Sequence, residues 1–273
     1  LESEEIFGYV WRFPKNWDYV NIYPLGDLHC GNPAFSEKYL DYELKIITDD
    51  PFGRILFMGD LCETVLKDSK GDVYGQVIPP AQQKKWIVNK FKPFRDILLG
   101  ATSGNHEDRI RRATGDDYTQ QIAEELEIPY RYEGLWLRLC IGGGNGRHAD
   151  RPYVYHTYAT HGFGSAATTG ARMAKLERVS HNVSADVYFM GHDHHSTVDE
   201  IVRIDPCDQT YEEGGFEKFH GISHHCHLIK TNSFLRWCAH GEKAGFSPSS
   251  MRVPKVTLWA DDRPIYRRID VLK

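Results

Sequence analysis

Several features that would assign a class at once are missing from this 273-residue sequence. No run of eighteen or more apolar residues occurs, so no membrane-spanning helix is expected. The N-terminal stretch has neither the basic nor the apolar region of a secretory signal peptide, and it starts at Leu1 rather than Met, which leaves upstream residues open. The six cysteines, at positions 30, 62, 140, 207, 226 and 238, form no Cys-x-x-Cys pair, against a zinc ribbon or a thioredoxin-type motif. Basic charge is not in excess either. With 33 Lys and Arg against 38 Asp and Glu, the formal charge is -5, so any polyanion site must be a local patch. Internal repeats and low-complexity linkers are also absent. The chain reads as one domain over residues 1–273, with a motif-bearing core at 19–194 and a mainly β part at 197–273.

What is present is an ordinary globular composition, 41% hydrophobic and 26% charged, with ample material for a core. Residues 1–18 are aromatic and charged and read as a strand or an arm. Runs rich in β-branched and aromatic residues predict buried strands at 19–25, 54–58, 130–141, 153–160 and 185–190, and a short one through Ala101 and Thr102. Helices are expected at about 37–49 behind Ser36, from Pro79-Pro80 to about Leu99 with a kink near Pro93, from the capping box Asp117-x-x-Gln120 to Leu126, and up to Val179. Residues 61–78 read as an irregular loop and residues 142–146 as a glycine-rich one. Shorter strands are expected at 200–204, 227–229 and 256–259.

The strand ends carry the chemistry. Five of them finish in Asp27-x-His29, Gly59-Asp60, Gly104-Asn105-His106, His161-Gly162 and Gly191-His192-x-His194. Ligands of α/β sheets gather at the carboxyl ends of the strands, so residues spread over more than 160 positions are expected to converge. Two carboxylates, a carboxamide and four histidines besides His106 are more than one metal requires. They suit two adjacent ions, with one carboxylate shared between them. Imidazole favours Mn, Fe, Zn or Ni over Mg or Ca. Cys30 and Cys62 lie close to candidate ligands, where a disulfide would interfere, so free thiols and a cytoplasmic location are expected.

These blocks, in this order, resemble the pattern of the calcineurin-like metallophosphoesterases. The resemblance implies an α/β fold of layered sheets, a β-sandwich flanked by helices, with the metal site at the strand ends. It implies that Asp27, His29 and His194 hold one ion, that Asn105, His161 and His192 hold the other, and that Asp60 bridges them. It places His106 beside the phosphate as proton donor or charge stabiliser. The implied cofactors are two divalent transition metal ions, Mn first, with Fe, Zn or Ni as alternatives. The implied activity is hydrolysis of a phosphodiester by in-line attack of a metal-bridging hydroxide, with DNA or RNA among the substrates. A phosphomonoesterase acting on small metabolites and a non-catalytic metal-binding scaffold for a protein partner are the competing readings. Ser/Thr protein phosphatases of this family carry an arginine after Gly-Asp and another before Gly-Asn-His. Here those stretches read Leu61-Cys62-Glu63 and Thr102-Ser103, which counts against that branch. The stretch 69–76, the block 104–110 and Gly170-Ala171 are similar to phosphoesterases encoded in phages and prophages.

Other polar residues have a structural reading beside the functional one. Glu63 either touches a metal-bound water or makes a structural hydrogen bond. Of Arg109, Arg111 and Arg112, one is expected to face the site as a phosphate contact, with Arg109 the candidate, and the others to be solvated. His195 is expected to point away, and His148, His156, His181 and His240 to be ordinary surface or packing residues. His220, His224, His225, Cys226 and His227 read as a polar strand near the rim of the site rather than a third metal site. Thr231-Asn232-Ser233-Phe234 is expected to pack beneath the ligands. Lys84, Lys85, Lys90 and Lys92, with Trp86 and Phe91, form either a nucleic-acid face or the solvated side of an amphipathic helix.

Overall fold

The structure, a computed structural model, describes residues 6–67, 69, 71–143, 151–164, 166, 168–237, 248–260 and 268–272. Lys70, residues 144–146, His148, Cys238 and His240 lie outside the described residues.

Two six-stranded mixed sheets pack face to face. One contains, from edge to edge, β12 (Ile269–Leu272), β11 (Lys255–Trp259), β2 (Tyr19–Leu25), β3 (Gly53–Phe57), β4 (Leu98–Thr102) and β5 (Tyr130–Arg131). The other runs β1 (Tyr9–Arg12), β6 (Leu135–Ile141), β7 (Tyr153–Thr160), β8 (Val187–Met190), β10 (Phe216–Lys230) and β9 (Thr197–Glu213). Alternation along the strands produces the layers. Val20 and Ile22 of β2 meet Leu135, Leu137 and Leu139 of β6 and Val187 and Phe189 of β8 between the sheets. The opposite face of the first sheet, through Tyr23, Leu25, Ile55 and Phe57, is covered by α1 (Glu37–Asp49), α2 (Pro80–Phe91) and α4 (Tyr118–Leu126). The outer face of the second sheet packs Tyr188 and Leu228 against Met173 and Leu176 of α5 (Thr169–Ser180). The result is the layered α/β fold expected, helices outside and a β-sandwich within. The expected convergence therefore arises from two sheets rather than one. The parallel strands β2, β3 and β4 bring three blocks from one side, and the parallel pair β7 and β8 brings two from the other.

Several boundaries differ from expectation. The helix from Pro80 stops at Phe91 and tightens into a 3-10 turn over Lys92–Ile97, because Pro93 cannot continue the α ladder, and β4 already starts at Leu98. Ser36 sits at the N-cap position of α1 but makes no capping bond, whereas Asp117 accepts from Gln120 N as expected. A helix not anticipated from sequence, α3 (Asn105–Thr114), follows the third block directly. It buries only Glu107 and Ile110, so it has almost no apolar stripe to read. The strands expected at 200–204 and 227–229 belong to one long hairpin, β9 and β10. The five described cysteines are free thiols. Among the described residues no helix is long and apolar enough to cross a membrane.

Phe91 is fully buried and lies edge-on to Phe57 at 4.8 Å between ring centroids, so its ring is core rather than a stacking face. Phe91→Ala should lower stability by about 3–5 kcal/mol in urea unfolding. A loss below about 1 kcal/mol would contradict this placement.

Candidate metal centre

Five loops meet at the carboxyl ends of the strands, and they do so in strained backbone. Seven described non-glycine residues have left-handed φ, and five of them are the expected ligands Asp27, His29, Asp60, His192 and His194, at φ 49, 53, 49, 70 and 54°. Each such residue costs about 1–2 kcal/mol, although Asp and His tolerate the region better than most. That concentration of strain marks the site. The second and third loops can approach only because both carry glycine. A Cβ on Gly104 would fall 2.2 Å from Asp60 N, and one on Gly59 would fall 2.7 Å from Gly104 N.

The polar atoms form two groups joined by a third. In the first, Asp27, His29 and His194 bring one ligand atom each within 4.8 Å of one another, in the second Asp60, His161 and His192 do the same, and His29, Asp60 and His106 make the third between them. His29 Nε2 is 3.0 Å from His194 Nε2, which is 3.2 Å from Asp27 Oδ1. His161 Nε2 is 3.1 Å from Asp60 Oδ2 and 3.0 Å from Asn105 Oδ1, and Asn105 Oδ1 is 2.7 Å from His192 Nδ1. Asp60 Oδ2 also lies 3.9 Å from His29 Nε2, so it stands between the two groups. At metal–ligand bonds of about 2.1 Å, neighbouring ligand atoms are separated by about 3.0 Å in an octahedron and about 3.4 Å in a tetrahedron. Four of the observed spacings, at 3.0–3.2 Å, fall in that range, whereas Asn105 Oδ1 to His192 Nδ1 is shorter and Asp60 Oδ2 to His29 Nε2 longer.

Two further observations show that these residues fit metal ions. Asp27 Oδ1 is buried and has no hydrogen-bond partner despite the imidazoles near it, so the atoms aim at a common point rather than at each other. The outer nitrogens of three rings are also occupied. His29 Nδ1 meets Glu63 Oε2 at 2.9 Å, His161 Nδ1 meets the Met58 carbonyl at 2.8 Å, and His192 Nε2 meets the Gly164 carbonyl at 2.6 Å. An acceptor on the outer nitrogen fixes the proton there and leaves the inner lone pair for a cation. Glu63 thus makes the structural hydrogen bond that was one of its two readings.

Charge in the site is balanced by protons. Burial alone would raise Asp27 and Asp60, but His194 beside the one and His161 beside the other hold both below the ordinary carboxylate range. Burial disfavours a charged His161, yet Asp60 outweighs it and lifts that imidazole to about 10. His106 is different. Burial dominates and pushes it down to about 4. Its Nδ1 donates to the Glu63 carbonyl at 2.7 Å, so Nε2 is the acceptor of a 2.9 Å bond from Arg109 Nη2.

Residues behind the ligands hold the loops. Glu107, buried in α3, accepts from Asp60 N at 3.0 Å and Cys62 N at 2.7 Å, and burial with Asp60 nearby raises its carboxyl to about 7. Asp193, between two ligands, pairs with Lys175 at 2.9 Å and with the fully buried Lys230 at 2.6 Å. Lys230 also donates to the Gly191 carbonyl. Sequence reasoning passed over Glu107, Asp193 and Lys230. The signal available was a lysine at the end of an apolar strand, which is rarely buried without a partner. Ser233 Oγ and Phe234 N both donate to the Asp27 carbonyl, so the 231–234 segment does lie beneath the site.

Other expected positions lie elsewhere. Arg109 faces the site, whereas Arg111 and Arg112 pair with Asp108. The histidine cluster is not at the rim. His227 pairs with Val187 at the start of β8, so the cluster lies beyond the opposite end of that strand. His224 bridges Asp186 and Asp205, and His225 meets Glu200. Lys84 contacts Gln121 and Lys90 pairs with Glu37 and Asp41, as a solvated helix face would.

No family model matches the chain, and no curated protein matches it. Solved structures do. Vacuolar protein sorting 29 from Cryptosporidium parvum matches at 11% identity and TM-score 0.43, over 93% of this chain and 97% of that one. Calcineurin-like phosphoesterase YfkN from Bacillus subtilis matches at 8% and 0.41, over 94% and 91%. Nuclease MPE from Pseudomonas putida matches at 13% and 0.34, over 92% and 87%. The chain resembles calcineurin-like metallophosphoesterases in its motif order and layered sheets.

A metal ion held by His161 would have to displace the proton that Asp60 stabilises on its ring, which is lifted to about 10. Binding should therefore release protons, and apparent affinity for Mn or Zn should rise about tenfold per pH unit for each proton lost, between pH 6 and 8. Titration calorimetry in two buffers of different ionisation enthalpy reads this directly. A pH-independent affinity would remove His161 from the ligand set.

Proposed function

We propose that this protein is a metal-dependent phosphodiesterase that holds two divalent transition ions at the ends of its paired sheets. The observation that carries the reading is the convergence of Asp27, His29, Asp60, Asn105, His161, His192 and His194 with their inner donor atoms 2.7–3.3 Å from a neighbour in each group. In this reading Asp27, His29 and His194 would hold one ion, Asn105, His161 and His192 the other, and Asp60 would serve both. Two such ions, Mn first among the candidates, would supply neutralisation of the ester oxygens and lower the pKa of water toward neutrality.

The chain's own residues do the rest. Glu63 orients His29, and Glu107 fixes the Asp60 loop, so the ligand set is preorganised. Arg109 places a guanidinium next to His106 at the edge of the site, where it can engage a phosphoryl oxygen. Arg109 is the cationic side chain beside His106, whereas Lys175 and Lys230 both pair with Asp193. Whether the diester is a nucleic acid or a small molecule is decided by assay.

His106 acts in this reading by positioning the Arg109 guanidinium rather than as a resting acid. Its Nε2 accepts from Arg109, burial holds it neutral at pH 7, and a dication nearby would depress it further.

With Mn, the protein should hydrolyse bis(p-nitrophenyl) phosphate faster than p-nitrophenyl phosphate, and DNA, RNA and cyclic nucleotides tested alongside identify the natural class. Absence of turnover in a preparation shown by elemental analysis to be metal-loaded would sink the enzymatic reading. Asp60→Asn should reduce the content of both ions, because it weakens the shared ligand. Retention of one ion at full occupancy would contradict the bridge.

His106→Gln should keep the metal and lower kcat by about 10²-fold or more, equally for diesters with good and poor leaving groups. A loss confined to the poor leaving group would instead establish general-acid catalysis.

A further inference from the structure

The hairpin β9–β10 extends well beyond the sandwich that anchors it. β8 pairs with β10 only over residues 227–230, whereas β9 and β10 pair with each other from Thr197 and Lys230 out to Glu213 and Phe216. Among the described residues no strand flanks the outer side of β9 or residues 216–226 of β10. A two-stranded ribbon of this kind is marginal alone, and a long free edge offers unpaired N–H and C=O groups.

The ribbon also has an apolar stripe where none is needed for solubility. Val198 and its cross-strand partner Ile229 contribute to the core between the sheets. Continuing on the same face by the two-residue strand period, after Glu200, come Val202 and Ile204, and beyond an irregularity in the pairing between Phe219 and Gly221, Phe219 lies across from Thr210. Val202, Ile204 and Phe219 are 53%, 69% and 61% exposed. The inner face of the sheet therefore runs on, uncovered, past the body of the protein.

Charge identifies what fits it. Residues 197–220 hold seven carboxylates, Asp199, Glu200, Asp205, Asp208, Glu212, Glu213 and Glu217, against Arg203 and Lys218. The remainder of the chain holds 31 of each sign, so the whole formal charge of -5 resides in the ribbon. Asp199, Asp208, Glu212 and Glu217 have no basic partner among the described residues. A second copy of β9 would set six carboxylates against six, and a polyanion would be repelled.

We propose that the outer edge of β9 takes up an extended, lysine- or arginine-rich segment of a partner protein. Apolar residues of the segment lie beside Val202 and Ile204, and its basic residues meet Asp199 on the opposite face and Asp208 and Glu212 farther out along the apolar face. This is strand addition, with main-chain bonds giving affinity and the stripe and charges giving selectivity. The competing reading is that the carboxylates serve only to keep the edge unpaired.

The test uses the full chain and a fluorescein-labelled ten-residue peptide of alternating valine and lysine, with valine–glutamate and serine–lysine peptides as controls. The valine–lysine peptide should bind in anisotropy, and hydrogen exchange should slow at β9 amides. Asp199→Lys with Asp208→Lys and Glu212→Lys should weaken binding at least about tenfold, as should Val202→Thr with Ile204→Thr, while metal content and thermal unfolding stay unchanged. The edge-protection reading prevails if the peptide does not bind, or if it binds without protecting β9 and without regard to Val202 and Ile204. Concentration-dependent dimerisation lost in the same variants would assign the edge to a second copy and overturn the proposal. If both variant sets unfold, single Ile204→Thr and Asp208→Lys changes carry the comparison.

Discussion

A carboxylate buried among imidazoles is the constraint from which the rest of the site follows. Asp60 is 1% exposed, with His161, His29 and His106 nitrogens 3.1–3.9 Å from its Oδ2. A lone carboxylate at such depth would neutralise itself by taking up a proton. Here its charge survives because cationic character surrounds it, from protons on histidine in the free protein and from metal ions when bound. The two states compete for the same lone pairs, which ties occupancy to pH and ties the placement of each ring to the acceptor on its far nitrogen. The Glu63 carboxylate and the Met58 and Gly164 carbonyls are therefore as much a part of the ligand geometry as the rings they hold.

Holding those rings demands a backbone that a relaxed loop would not adopt. Five of the candidate ligands lie in the left-handed region, and the strain is borne by a rigid surround. Part of that surround is polar. Glu107 gathers the amides of residues 60 and 62, and the Lys175–Asp193–Lys230 group fixes the loop between His192 and His194. A buried ion pair of this kind is not a generous source of stability, since desolvation offsets most of the attraction. Its evident effect is to leave the loop one geometry, which a site of this tolerance requires.

The convergence of the candidate ligands was legible in the sequence because each stands at a predictable place, one to four residues past a strand of strong β character. Asp27, Asp60, Asn105, His161 and His192 all follow that rule. The supporting residues were not legible. Glu107 and Lys230 look like surface charges until the fold buries them. Helix α3 was hidden because its sequence, Asn-His-Glu-Asp-Arg-Ile-Arg-Arg-Ala-Thr, carries a single aliphatic residue for the core beyond Ala113. Periodicity reads burial, and α3 buries little. Phe91 shows the converse error. Beside lysines it could pass for a stacking face, but helical spacing turns it inward to Phe57 while the lysines turn out.

The hairpin escaped for a different reason. Local pattern locates strands by alternation between a wet and a dry face, and from about Val202 outward both faces of the ribbon are largely wet. Apolar residues there do not mark burial, and acidic ones do not mark a loop. The residues that do resemble a strand, at 200–204 and 227–229, are those nearest the body, where the two-faced distinction still holds. Beyond them the strand persists through cross-strand pairing alone, with His224 between Asp186 and Asp205 fastening its base to the sheet. The fold thus divides its polar chemistry. Carboxylates in the sandwich are buried, matched and strained into position, while four of the ribbon's seven, Asp199, Asp208, Glu212 and Glu217, are exposed without a basic partner among the described residues. The first arrangement is suited to cations held at fixed geometry, and the second to a chain that brings its own charges and its own missing strand.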